Sequence, residues 1–101
     1  MYIYNVTIKI NNSIEEKWLA WMLNEHLGEV MATGMFDNYS FLELLEPSDD
    51  ESKTYIAQYF TDSKARYEQY IEHFAPLLRH KGIELFGDQF IAFRTILKKL
   101  H

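Results

Sequence analysis

The chain has no cysteine, which excludes disulfides, thiolate nucleophiles and cysteine-based metal sites together. Any soft-metal site would have to be built from the four histidines. Glycine and proline are scarce, at four and two residues, and no glycine-rich phosphate-binding loop is present. No apolar run approaches the roughly 20 residues of a membrane span. The opening "MYIYNVTIKI" has no basic leader, long apolar core or small-residue cleavage site, so the cytoplasm is the default location. Positive charge is also in deficit: 10 Lys and Arg against 15 Asp and Glu leave a formal charge of −5. Nucleic acid and anionic membranes would be repelled over most of such a surface, and neither is expected as a partner. Local basic spots remain at "LLRHKG" and "ILKKLH".

What is present describes a chain with a core. Hydrophobic residues make up 48% and aromatic ones 16%, far from the disordered classes. A chain of 101 residues buries roughly 60 to 65% of its unfolded surface, enough for one domain over residues 1–101. There are no repeats or linkers.

Tyr2, Tyr4, Val6, Ile8 and Ile10 alternate with Ile3, Asn5, Thr7 and Lys9, which predicts a half-buried strand. A helix should follow, capped by Asn12 or Ser13 with Glu16 completing a capping box, and end near Gly34. "NYSFLELLE" and "KTYIAQYFT" read as a hairpin around "EPSDDES". A second helix follows caps at Thr61 to Ser63, with a stripe of Tyr67, Tyr70, Ile71, Phe74 and Leu78; Pro76 kinks or divides it. "DQFIAFRTIL" closes the chain as a fourth strand. The order βαββαβ predicts an α+β, ferredoxin-like fold with a four-stranded antiparallel sheet and two helices on one face.

If Tyr4, Val6 and Ile8 face the helices, Asn5, Thr7 and Lys9 face the other way, and Gln58 and Arg94 are placed with them. Ile56, Phe60, Phe90, Ala92 and Ile96 are assigned to the same outer face, which becomes too apolar to stand bare. A homodimer through that face is the expected cover. The fold also hosts RNA-recognition domains, but "KTYIAQYF" lacks glycine at its second position and has Ala57 where a stacking aromatic is needed.

Taken together, "YNVTIKI", "WLAWMLNEHLGEVMATGMF", "YIAQYF", "YEQYIEHFAPLLRHKG" and "FGDQFIAFRTIL" resemble, over nearly the whole chain, a family of short bacterial proteins called domain of unknown function 4286. Gly28 stands where many sequences of that family are expected to carry proline. More loosely, the pattern is similar to the dimeric α/β-barrel superfamily, in which two ferredoxin-like sheets pack face to face. Its members include cofactor-independent oxygenases, isomerases and small-molecule binders.

"WLAWMLNEHLGEV", residues 18–30, is the richest stretch. On a helical wheel Trp18, Trp21 and Met22 form one apolar sector and Leu19, Leu23, Leu27 and Val30 another; Lys17, Asn24 and Gly28 mark the wet side. Trp18 and Trp21 suit a core or interface. His26 is the candidate base, because an ordinary histidine exchanges protons near neutrality. Glu29, three residues on, is placed to orient it, and Glu25 lies on the same border. The alternative for His26 is a helix-terminal histidine favoured by the dipole. Arg94 would bind a carboxylate such as Glu43 or an anionic ligand. Tyr55 and Tyr59 share a strand face and, with Tyr4, could line a helix-side cavity.

His26 with Glu29, and Glu72 with His73, are too few ligands for a metal, and no "HExxH" is present. No nucleophile elbow surrounds any serine. No cofactor is expected. The expectation is a homodimer that binds a small, partly apolar or aromatic molecule at Trp21, Glu25, Glu29, Tyr55, Tyr59 and Arg94. An oxygenase or isomerase using His26 and a ligand-free interaction dimer are the alternatives.

Overall fold

A computed structural model describes residues 1–101. Strands β1 (Tyr2–Asn11), β2 (Asn38–Glu43), β3 (Ser52–Thr61) and β4 (Phe90–Lys98) form one sheet in the order β2-β3-β1-β4. All neighbouring pairs are antiparallel. The first helical stretch, α1, is a 3₁₀ turn (Asn12–Ile14) followed by Glu15–Trp21, a π turn at Met22–His26, and Leu27–Ala32. Two further helices, α2 (Lys64–His73) and α3 (Ala75–Phe86), follow β3.

The expected second helix is thus divided, and the chain has three helices rather than two. Phe74 departs from helical geometry at φ −119°, and Pro76 lies in the first turn of α3, where its missing N–H costs no hydrogen bond. The cap of α2 is as expected: Ser63 Oγ accepts from the Arg66 N–H at 3.2 Å. The capping box on α1 does not form. Asn12 instead donates to the Asp50 carbonyl at 2.7 Å, and Ser13 donates to Gln89 at 3.4 Å, so both tie the helix entry to neighbouring loops.

Period-two burial is clear in β1 and β3. Tyr4, Val6, Ile8 and Ile10 are buried beneath the helices, as are Tyr55, Ala57 and Tyr59. Trp18 fills the space above β3 and β2, with its ring 5.2 Å from Tyr55 and 5.9 Å from Phe41. A second aromatic group, Tyr4, Phe36, Tyr59 and Tyr70, packs at the other end.

Register corrects the assignment of β4. Val6 pairs directly with Arg94, Ile8 with Ala92, Tyr4 with Ile96 and Ile10 with Phe90. Residues directly opposite on antiparallel strands share a face, so Phe90, Ala92, Arg94 and Ile96 lie on the helix side. They are not on the outer face with Asn5, Thr7 and Gln58. The outer face instead takes Ile91, Phe93, Thr95 and Leu97 from β4, beside Ile3, Ile56 and Phe60. It remains strongly apolar: Phe93 is 62% exposed, Ile91 57% and Leu97 43%.

Candidate functional site

Between α1, α3 and the centre of the sheet lies a cavity of about 50 Å³, bounded by Trp21, Met22, Phe90 and Ala92 with Tyr4, Tyr59, Tyr70, His26, Arg79 and Arg94 as its polar members. The π turn that runs from Met22 to His26 builds one wall. It widens the helix by about one residue per turn, a feature common where a helix serves a site. Met22 and His26 both turn inward there, while Leu23 is 63% exposed and falls off the stripe that an ideal wheel gives it.

Trp21 stacks on His26 with ring centroids 4.5 Å apart and meets the edge of Phe86 at 5.6 Å. It is also the closest neighbour of Gly82, where an added Cβ would stand 3.3 Å from the indole. The small residue on α3 lets the outer edge of the indole approach the helix closely. On its far side Trp21 borders an open groove of about 480 Å³ with Lys17, Asn24, Glu25 and Leu85. One indole therefore separates an inner cavity from a larger outer groove.

The His26 imidazole is held neutral. Burial depresses its pKa from 6.5 to about 4; the Glu29 charge opposes this, while Arg94 and Lys81 add to it. Its Nδ1 is buried without a hydrogen-bond partner. Glu29 does not orient the ring, because its carboxylate accepts from Lys81 Nζ at 2.7 Å. The helix-terminal account fails too: α1 runs on to Ala32, and the shift is opposite to the one a dipole would cause. Gly28 is inside the helix, and a side chain there would begin in open space, with nothing within 4 Å of its Cβ.

This depression makes a prediction. The native state resists protonating His26 whereas the unfolded chain accepts the proton near pH 6.5, so the contribution is complete above 6.5 and lost as pH falls toward 4. By linkage, roughly 2 kcal/mol of stability should disappear between about pH 7 and 5. His26→Gln should remove that part of the slope in urea unfolding measured at both pH values. An unchanged slope would mean that the imidazole is readily protonated in the fold.

Of the residues singled out in the sequence, Trp21, His26, Tyr59 and Arg94 come together at the cavity. Tyr55 does not: its hydroxyl donates to Glu15 at 2.7 Å beside Trp18. Glu25 lies on the outer groove and Glu29 in the Lys81 pair. Burial pushes the Tyr59 and Tyr70 phenols well above their usual range, so both remain neutral donors. Arg79 is the residue that sequence reasoning missed. Its Nη2 donates to Tyr4 Oη at 3.0 Å, and its Nε is buried without a partner. The sequence carries only a weak signal, the small residues Ala75 and Gly82 four before and three after it on the same helix side; that this side is the inward one is decided by packing, which buries both. No three His, Asp or Glu side chains converge as a metal cluster would require.

A four-stranded antiparallel, ferredoxin-like sheet with helices on one face defines the fold class. The chain belongs to the family described as Domain of unknown function (DUF4286), whose pattern matches residues 1–100. Solved structures share the fold at low identity. An ethyl tert-butyl ether d (ethd) family protein from Bacillus halodurans aligns with a TM-score of 0.72 and 9% identity over 99% of this chain and 100% of its own. A dimeric ferredoxin-like protein from an uncultured marine organism gives 0.70 and 12% over 99% and 95%. SnoaB, a cofactor-independent oxygenase from Streptomyces nogalater, gives 0.65 and 9% over 99% and 94%. No curated protein matches the sequence. No helix is long and apolar enough to cross a membrane.

Proposed function

We propose that this protein is a cytoplasmic homodimer that binds a small, partly apolar molecule in the cavity between α1, α3 and the sheet. The observation that carries the reading is the convergence there of Tyr4, His26, Arg79 and Arg94 on a space otherwise walled by Trp21, Phe90 and Ala92. Apolar walls with a few converging polar groups are the usual composition of small-molecule sites. Buried donors and acceptors left without partners in such a place favour a ligand that pairs with them.

Volume restricts the ligand. About 50 Å³ is a third of the roughly 150 Å³ cavity that takes benzene. A head group fits the space as it stands. An aromatic body fits if Trp21 swings toward the outer groove it already borders.

Dimerisation through the outer sheet face is supported by Ile91, Phe93 and Leu97, exposed there beside Ile56 and Phe60. Two structural neighbours of the same fold are described as dimeric ferredoxin-like proteins, which supports a dimer without naming its face. The contact comprises Asn5, Thr7 and Gln58 without Arg94.

A second reading, cofactor-independent oxygenase or isomerase chemistry with His26 as base, is favoured by the unpartnered Nδ1 and by the likeness to SnoaB. Basicity argues against it. With a pKa of about 4, His26 is a poor acceptor for the proton of an ordinary carbon or phenol acid, since a general base works best near the operating pH.

The test is an NMR titration with phenol, benzamide and benzoate, following the Trp21 indole and His26 imidazole resonances. At least one compound should move both. If none does, the protein is an interaction dimer without a ligand in this cavity.

A further inference from the structure

Acidic side chains outnumber basic ones 15 to 10, yet the two guanidiniums that reach the cavity pair with none of them. The ion pairs of Lys and Arg are Lys9 with Asp49, Arg66 with Asp37 and Lys81 with Glu29. Glu43, a candidate partner for Arg94, sits on β2 at the opposite edge of the sheet. Arg79 and Arg94 instead approach one phenol. Arg79 Nη2 donates to Tyr4 Oη at 3.0 Å, and Arg94, opposite Val6 on the sheet face that carries Tyr4, lines the same cavity as Arg79.

Two like charges lining one small cavity, Arg79 part-buried and Arg94 at its exposed rim, with no acidic side chain paired to either, are unfavourable by themselves. A bound anion reverses the sign of that interaction. The buried Nε of Arg79 is still without an acceptor, and the planar fork of a guanidinium matches the two oxygens of a carboxylate. The other charge near the cavity does not oppose this, because Glu29 is already neutralised by Lys81 at 2.7 Å.

We propose that the cavity is a carboxylate site, in which Arg79 and Arg94 bind the anionic head group of a small monocarboxylic acid, Tyr4 hydrogen-bonds to it, and Trp21 and Phe90 meet its apolar body. The inference rests on the small-molecule reading above and names the ligand class. Tyr4 donates its hydroxyl proton to one carboxylate oxygen while accepting from Arg79. The head group occupies the existing space, and the body extends toward the groove beyond Trp21.

The experiment compares acids with their amides, which have nearly the same shape but no charge: acetate against acetamide, and benzoate against benzamide. Binding is followed by NMR at pH 7 and constant ionic strength in the wild type, Arg79→Gln and Arg94→Gln. At least one acid should bind about ten-fold or more tightly than its amide, and each variant should lose about ten-fold for the acid with little change for the amide. Arg94 is largely exposed at the rim, so Arg94→Gln keeps the test decisive if Arg79→Gln does not fold. Equal binding of acid and amide overturns the carboxylate assignment and leaves the small-molecule reading standing. So does an acid preference that survives in every folded variant. Absence of binding by all four compounds overturns both.

Discussion

Phe93→Arg is expected to convert the proposed dimer to a monomer at tens of micromolar in sedimentation equilibrium. Phe93 is 62% exposed in the single chain, between Ile91 and Thr95 on the uncovered sheet face. In a two-fold dimer each substitution counts twice. With about 2 kcal/mol lost for each central aromatic, dissociation rises by roughly 4 kcal/mol, or about 1,000-fold in Kd. Because the side chain touches nothing beneath the helices, thermal unfolding of the monomer should remain cooperative. Arg94→Gln is the contrasting substitution and should leave the dimer intact, since Arg94 pairs with Val6 on the helix side. A wild-type monomer, or a dimer indifferent to Phe93→Arg, would refute assembly through this face.

The two tryptophans should separate just as widely. Trp18→Ala is expected to cost about 3 to 5 kcal/mol in denaturant unfolding, as loss of a buried large aromatic usually does. Trp18 is 1% exposed and packs on Tyr55 and Phe41, so no rearrangement of a surface loop can fill its space. That loss is a large share of the roughly 5 to 15 kcal/mol that holds a domain together. Trp21 is only partly buried and has the outer groove on one side. Trp21→Ala should therefore cost less than half as much. It should also join the groove to the cavity and speed ligand entry in stopped-flow binding of whichever compound the titration identifies. Equal destabilisation by both substitutions would make Trp21 a core residue and remove it from the site.

Some of this protein follows from the order of its residues. Alternation in β1 is legible because Asn5, Thr7 and Lys9 interrupt it at every second position, and in β3 Thr54 and Gln58 mark the outer parity that Ile56 and Phe60 share. The Ser63 cap and the break at Pro76 are equally local, set by side-chain chemistry within one turn. Four of the residues at the cavity, Trp21, His26, Tyr59 and Arg94, stand out as large or ionisable groups on otherwise apolar elements.

Tertiary structure decided the rest. In β4, apolar residues occupy both parities, with Phe90, Ala92 and Ile96 on one and Ile91, Phe93 and Leu97 on the other. A strand without polar alternation has no face of its own, and a slip of one residue exchanges the two. Only pairing with β1, Val6 opposite Arg94, moves that arginine from the outer sheet face to the helix side, at the cavity. The π turn has no compositional mark either, yet it directs His26 inward. Arg79 reads as part of a basic surface stretch until α3 lies against the sheet, where a single helix rotation brings its guanidinium to Tyr4, 75 residues away along the chain. Local chemistry specifies which segments become strands and helices; which face each presents, and hence which charges meet, depends on contacts between residues remote in sequence.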